Sequence, residues 1–180
     1  MLSGAHRGAE AAFGACAERW GIAERNFTFA GRPVARSRGL VLLDERELEQ
    51  GDVSWAYLDD RMHRDYPRTD AFRKVLQSIW HQVNPAGEVF AVGKIKKDGT
   101  VKGGTGWAVE LAKRLGKPVC VFDQEQQRWF FWESSWQPTE PPRIQRPAFC
   151  GTGTARLSEP GEQAIRELFE RSFGSPEAHD

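Results

Sequence analysis

The sequence predicts one α/β domain built on a mostly parallel sheet. Three observations lead there. Residues 88–92 (EVFAV) and 119–122 (VCVF) are short apolar runs on either side of a glycine-led helical stretch, which is the pattern of a strand–helix–strand unit with parallel strands. Further short apolar runs alternate with helical patterns along the chain. The 180 residues suit a single domain, and a chain of that size hides about 70% of its unfolded surface, enough for a sizeable core.

Each element has a local reason. Residues 8–19 (GAEAAFGACAER) read as a helix whose small face, Ala11, Ala12, Ala15 and Cys16, lets it lie close to a sheet. Only MLSGAHR precedes it, so the strand that should feed it is almost absent. Residues 26–30 alternate as a short strand, 31–39 read as an exposed Arg-rich loop, and 40–43 (LVLL) are apolar. Asp44 is an N-cap for a short helix, and 54–64 are weakly helical. Thr69 caps a helix over 70–83 with Phe72, Val75, Leu76, Ile79 and Val83 on one face. After the strand at 88–92, residues 94–102 form a loop or small hairpin about Asp98-Gly99. The next helix runs from Gly103 to about Leu115 and stops at Gly116. Residues 128–133 predict an antiparallel strand, and the proline-rich stretch 134–146 predicts a loop. Residues 147–150 (PAFC) enter Gly151-Thr152-Gly153-Thr154. Ser158 then starts a helix with Ile165, Leu168, Phe169 and Phe173 inward. Residues 1–174 make the domain and 175–180 a disordered tail.

Composition narrows the function. Lys+Arg and Asp+Glu are both 25, so a uniformly basic surface for nucleic acid is disfavoured. No apolar run approaches the 18 or so residues that span a bilayer, and no signal-like segment opens the chain, so the expectation is a cytoplasmic protein with no membrane contact. Cys16, Cys120 and Cys150 form no CxxC pair and read as buried free thiols. His63 and His81 have no ligand partner at metal spacing, so no metal site is expected, and nothing in the sequence calls for a cofactor.

Three small-residue loops carry the chemistry: Ser3-Gly4-Ala5-His6-Arg7-Gly8-Ala9-Glu10, Gly103-Gly104-Thr105-Gly106 and Gly151-Thr152-Gly153-Thr154, each at or shortly before a helix start. Glycine lets backbone approach a phosphate, and a helix start offers free N–H groups with positive partial charge. The hydroxyls of Ser3, Thr105, Thr152 and Thr154 add donors. In an open parallel sheet such loops gather at the carboxyl ends of the strands. None is a Walker A or a complete GxGxxG, which disfavours an ordinary NTPase or dinucleotide dehydrogenase.

These segments resemble the SLOG superfamily, which includes putative molybdenum-carrier proteins, the Lonely Guy phosphoribohydrolases and DNA-processing proteins. SGAHRGAE resembles its SGGxxGAD segment, with Glu10 in place of Asp. VFAVGK with GGTGWAVELAKRLGKPVCVFD resembles its later strand–GGT–helix–strand segment. FCGTGTARLSEPGEQAIREL resembles the AGIGSRE segment that opens many phage members. That segment comes last here, so the order looks circularly permuted, which needs only neighbouring termini. The resemblance implies a Rossmann-like three-layer sandwich and a nucleotide-like ligand over the glycine loops. It also implies a homodimer as the assembly expected of relatives.

The candidate ligand residues are Ser3, Gly4, Arg7, Gly8, Gly93, Lys94, Gly103, Gly104, Thr105, Gly106, Trp107, Gly151, Thr152, Gly153 and Thr154. Arg7 is a phosphate clamp or a solvated side chain, Lys94 an anion contact or part of a solvated loop, and Trp107 a base platform or a packing residue. The first expectation is binding of a nucleotide or phosphorylated nucleoside derivative. The second is a phosphoribohydrolase-type enzyme that cleaves an N-glycosidic bond, with Glu110 or Glu10 as the carboxylate and Arg73 or Arg68 as the arginine the resemblance implies. The third is a DNA-binding or DNA-processing accessory. Arg32, Arg36 and Arg38, beside Phe27 and Phe29, read as a solvated loop or a nucleic-acid contact. Trp129, Phe131, Trp132 and Trp136 read as core or as an edge interface.

Overall fold

The computed structural model describes residues 1–62 and 69–176. Its strands are β1 (Leu2–Ser3), β2 (Arg25–Phe29), β3 (Leu40–Leu43), β4 (Glu88–Gly93), β5 (Val119–Asp123), β6 (Arg128–Trp132), β7 (Trp136–Thr139) and β8 (Phe149–Gly153). Its helices are α1 (Ala9–Arg19), α2 (Glu45–Gln50), α3 (Trp55–Met62), α4 (Asp70–Val83), α5 (Gly104–Arg114) and α6 (Glu159–Phe173), with a 3₁₀ turn at Gly51–Ser54. All eight strands join one sheet in the order β3-β2-β1-β8-β4-β5-β6-β7. The six from β3 to β5 are parallel, and β6 and β7 add antiparallel at one edge.

The topology follows from which strand each helix delivers. β1 leads through α1 to β2 on one side of it, whereas β4 leads through α5 to β5 on the other. β8 enters between the two halves, pairing Leu2 with Cys150 on one side and Glu88 through Val92 with Phe149 through Gly153 on the other. The feeding strand that the sequence leaves almost absent is two residues long, and β8 supplies the neighbour it needs.

Alternation along the parallel strands splits the interior into two cores. Val89, Ala91, Val119 and Val121 face a cluster with Leu76, Ile79, Val83, Trp107, Ala108 and Leu111 from α4 and α5. Phe90, Val92, Cys120 and Phe122 face a cluster with Ala9, Phe13, Ala17, Ile165, Leu168 and Phe169 from α1 and α6. Successive side chains point to opposite faces of a sheet, so a strand buried on both sides must be apolar throughout, as β4 and β5 are. Helices therefore cover both faces.

Local signals behave as their chemistry dictates. Asp44 closes a capping box with Glu47, while Thr69 and Ser158 accept from the backbone N–H groups of Phe72 and Gly161. Ile95 bridges Val101 across the turn at Asp98-Gly99, giving the small hairpin. The loop expected over 134–146 is corrected in part, since Trp136–Thr139 is a strand. Trp136 pairs with Trp132 across the hairpin, and this pair encloses the Lys113 ammonium at 4.6 and 3.6 Å. His81, its Nε2 at 2.7 Å from the Glu47 carbonyl, is a satisfied structural histidine. The expectations for His63, Arg68 and residues 177–180 lie outside the described residues.

Phe149 is 1% exposed and Leu42, on the edge strand β3, is 65% exposed. Phe149→Ala should therefore cost about 3–5 kcal/mol in urea unfolding, whereas Leu42→Ala should stay within about 0.5 kcal/mol of wild type. Equal effects would contradict the central place of β8.

Candidate functional site

Where the two halves of the sheet diverge, the carboxyl ends of the parallel strands leave a cleft of about 1010 Å³. Such a divergence is where ligands settle in open α/β sheets, because the loops on either side leave in opposite directions. The cleft takes His6 and Glu10 after β1, Phe29 at the end of β2 with Arg32 beyond it, Gly93, Lys94 and Lys102 to Thr105 around the β4 loop, Gln124 and Glu125 after β5, and Thr152 to Arg156 at and after the end of β8. One wall is apolar, with Phe72, Val75 and Ile79 of α4.

The loops are bound to one another before any ligand arrives. The Ala9 N–H donates to the Thr154 carbonyl at 3.0 Å, and the Thr154 N–H to the Val92 carbonyl at 2.9 Å. Gly8 sits at φ 83, and a Cβ there would stand 2.4 Å from the Thr154 carbonyl oxygen, so only glycine lets these two loops close. On the far side, buried Asp123 accepts from the N–H groups of Ile95, Glu125 and Gln126 and so ties the β4 and β5 loops together. Gly103, at φ 71, has open space where a Cβ would be, and no side chain caps the start of α5. The Gly106 N–H donates to the Gly103 carbonyl at 3.0 Å, and the N–H groups of Gly104 and Thr105 remain at the start of α5 for a ligand or water.

Glu10 is the buried carboxylate among the described residues of the cleft. It is 6% exposed, accepts from the His6 N–H at 2.9 Å and from the Thr152 hydroxyl at 3.2 Å, and lies in the first turn of α1, where the helix dipole favours it. Two donors leave lone pairs for a ligand hydroxyl. Around it, the cleft is lined by Arg32, Lys94, Lys102 and Arg156 against Glu10 and Glu125. A chain of zero net charge thus gathers a cationic excess in one place. Lys94 is held by Glu125 at 2.5 Å.

The candidates separate clearly. Gly93, Lys94, Gly103, Gly104, Thr105, Thr152, Gly153, Thr154 and Glu10 come together in the cleft. Ser3 is buried and spends its hydroxyl on the Gly151 carbonyl at 2.7 Å. Gly4 packs against Glu10 and Gln82, Gly106 against the Val101 carbonyl, and Gly151 against the Phe13 ring, each where a Cβ would collide. Arg7 is exposed and, like Gly8, is not among the cleft residues.

Two expectations are corrected. Trp107 is fully buried, edge-on to Trp55 at 4.8 Å, so it is core and flanks nothing in the cleft. Glu110 points into a different cavity of about 220 Å³ with Arg61 and Lys113, and binds the Lys113 ammonium at 2.7 Å. Both follow from helix geometry, since only the first turn of α5 reaches the cleft and the rest runs down the sheet. Arg73 pairs with Asp52 at 2.9 Å, also away from the cleft.

The Arg-rich loop divides its roles in a way the sequence does not reveal. Arg36 pairs with Glu18 and buried Glu24 at 2.8 and 2.9 Å, and Arg38 stands 3.6 Å from Glu24. Arg36 is largely buried in its ion pairs and Arg38 is an exposed side chain beside Glu24, while Arg32 turns into the cleft. Arg32, Arg156 and the α4 wall are what sequence reasoning missed. The apolar stripe of α4 signalled burial but not that part of it faces a cavity. Trp129 is buried, and Trp132 and Trp136 close on Lys113, so these aromatics are used within the fold.

Among the described residues no group of His, Cys, Asp and Glu could hold a metal ion, and no helix is long and apolar enough to cross a membrane. The chain matches no protein-family model, no curated protein and no solved structure.

Burial pushes the Cys16 thiol up to about 11 and the Cys120 thiol up to about 12, and raises Cys150 as well. Raised values mean that the folded state favours the neutral thiol. The resulting stability is present below the ordinary thiol range near 9 and is lost as pH rises toward 11 and 12. The native protein should therefore leave the buried Cys120 and Cys150 unmodified by a disulfide reagent at pH 8 and expose them in urea, and its urea midpoint should fall between pH 9 and 11. Rapid native labelling of Cys120 or Cys150 at pH 8 would contradict the burial.

Proposed function

We propose that the protein binds a nucleotide or a phosphorylated nucleoside derivative in the cleft at the strand ends, as a Rossmann-like domain related to the SLOG superfamily. The observation that carries this reading is convergence. Three small-residue loops, from β1, β4 and β8, contribute to one cleft that also holds four cationic side chains and an apolar wall. A phosphate fits the uncapped start of α5 and the Gly103–Thr105 backbone, with Lys102 and Arg156 as counter-charges. A sugar fits the middle, where Glu10 accepts from hydroxyls. The base fits against Phe72, Val75 and Ile79.

A second reading, cleavage of the N-glycosidic bond of a nucleoside monophosphate, is favoured by Glu10 itself. It is a carboxylate fixed by two donors in the part of the cleft assigned to the sugar, where it can stabilise an oxocarbenium-like centre. Glu110 has no such position.

One set of measurements tests both. A nucleoside monophosphate at about 100 times its dissociation constant should add roughly 2.7 kcal/mol, which is about 5 to 10 °C in melting temperature for a chain of this size. A flat response across purine and pyrimidine monophosphates overturns the binding reading. If free base also appears on incubation, Glu10→Gln should slow its release by about 10²-fold or more. Release unaffected by that change removes Glu10 from catalysis, and no release at all leaves binding alone.

A further inference from the structure

Among the described residues, Arg32 is a cleft cation that stands beside the first small-residue loop and Glu10, on the opposite side of β1 and β8 from the β4 glycine loop. It follows β2, whereas Lys94 and Lys102 follow β4. β1 and β8 lie between those strands, so three strand spacings, about 14 Å, separate the two ends of the cleft.

The surroundings of Arg32 suit its guanidinium to an anionic partner. Its Nη1 donates to the Ser78 hydroxyl at 3.1 Å, and that hydroxyl is itself fixed by donating to the Val75 carbonyl at 2.7 Å. Its guanidinium carbon stands 5.8 Å from the centre of the Phe29 ring. Its Nε is shut off from solvent with no hydrogen-bond partner, and no carboxylate among the described residues forms an ion pair with it. Arg36 and Arg38, from the same loop, both have one. Burial lowers the Arg32 pKa and the charge of Glu10 partly offsets this, yet a guanidinium stays protonated at neutral pH. A half-buried cation bonded to a single neutral hydroxyl is under-compensated, and a bidentate acidic group would complete it.

The middle of the cleft has the opposite preference. Glu10 and Thr152 come from the elements that follow and form β1 and β8, between the two cationic ends. A carboxylate there repels phosphate and accepts hydroxyls. We infer that the ligand is anionic at both ends: a phosphate at the β4 and β8 loops, a hydroxyl-bearing centre over Glu10, and a second acidic group gripped by Arg32 beside the apolar wall. This rests on the cleft reading above and narrows it to phosphorylated nucleosides whose base carries an acid.

The test compares AMP with adenylosuccinate, which is AMP with a dicarboxylate on the exocyclic nitrogen of its base, by calorimetric titration of the full chain. Adenylosuccinate should bind at least about tenfold more tightly, the scale of a charge-assisted bidentate contact. Arg32→Met should bring the two dissociation constants together, and Arg32→Lys should keep only part of the preference, because a point charge replaces a planar fork. If Arg32→Met no longer melts cooperatively, Arg32→Lys carries the comparison. AMP and adenylosuccinate binding wild type equally overturns the second anionic end and leaves the nucleotide reading in place. A preference that survives both substitutions removes Arg32 from its cause. Neither compound binding overturns both readings.

Discussion

The Ser3 hydroxyl donates to the Gly151 carbonyl across 148 residues of chain, while Leu2 and Cys150 stand opposite one another in the sheet. Through that contact the last strand in the chain becomes a central strand of the sheet. Without β8, the two-residue β1 would have one neighbour, β2, and the β1–α1–β2 half would be separated from the β4–α5–β5 half. The cleft depends on the same contact. Thr152 holds Glu10, Thr154 receives the Ala9 N–H, and its own N–H reaches Val92, so the β8 loop is the bridge that sets the β1 and β4 loops side by side.

Much of the fold was legible because it is local. α5 lies between β4 and β5, which are neighbours in the chain and in the sheet, and their unbroken apolar runs follow from burial on both faces. The caps at Asp44, Thr69 and Ser158 are chemistry confined to three or four residues. β7 was not legible, since WQPT has no alternation and includes a proline. It forms because Trp136 closes over Lys113, a partner more than twenty residues away, and because an edge strand tolerates a missing donor.

The site was legible in its backbone and less so in its side chains. Glycine and threonine in the three loops mark where the main chain turns and comes close to its surroundings, and such constraints are written in residue type. Which way a charged side chain points is decided by partners elsewhere. Arg32 and Arg36 look alike in sequence and separate only because Glu18 and Glu24 lie within reach of one and Ser78 of the other. Trp107 looked like a site residue by its place after Gly103–Gly106, and Glu110 by the resemblance of the segment that follows those glycines. A helix turns its side chains through all directions within four residues, so nearness in sequence to a ligand loop fixes little beyond the first turn. The same rule admits Glu10, which lies in the first turn of α1.

The position of β8 also has a consequence for how the chain is made. A polypeptide emerging from a ribosome can form β1–α1–β2 and β4–α5–β5 early, because each unit is complete within a few dozen residues. The edges of β1 and β4 that face each other across the missing strand then stay open until residues 149–153 have emerged. Open strand edges pair readily with other chains, and contacts this distant in sequence form late. The nascent protein is thus open to misassociation until residues 149–153 have emerged and paired, and a chaperone or a slow translation rate would have its greatest effect in that interval.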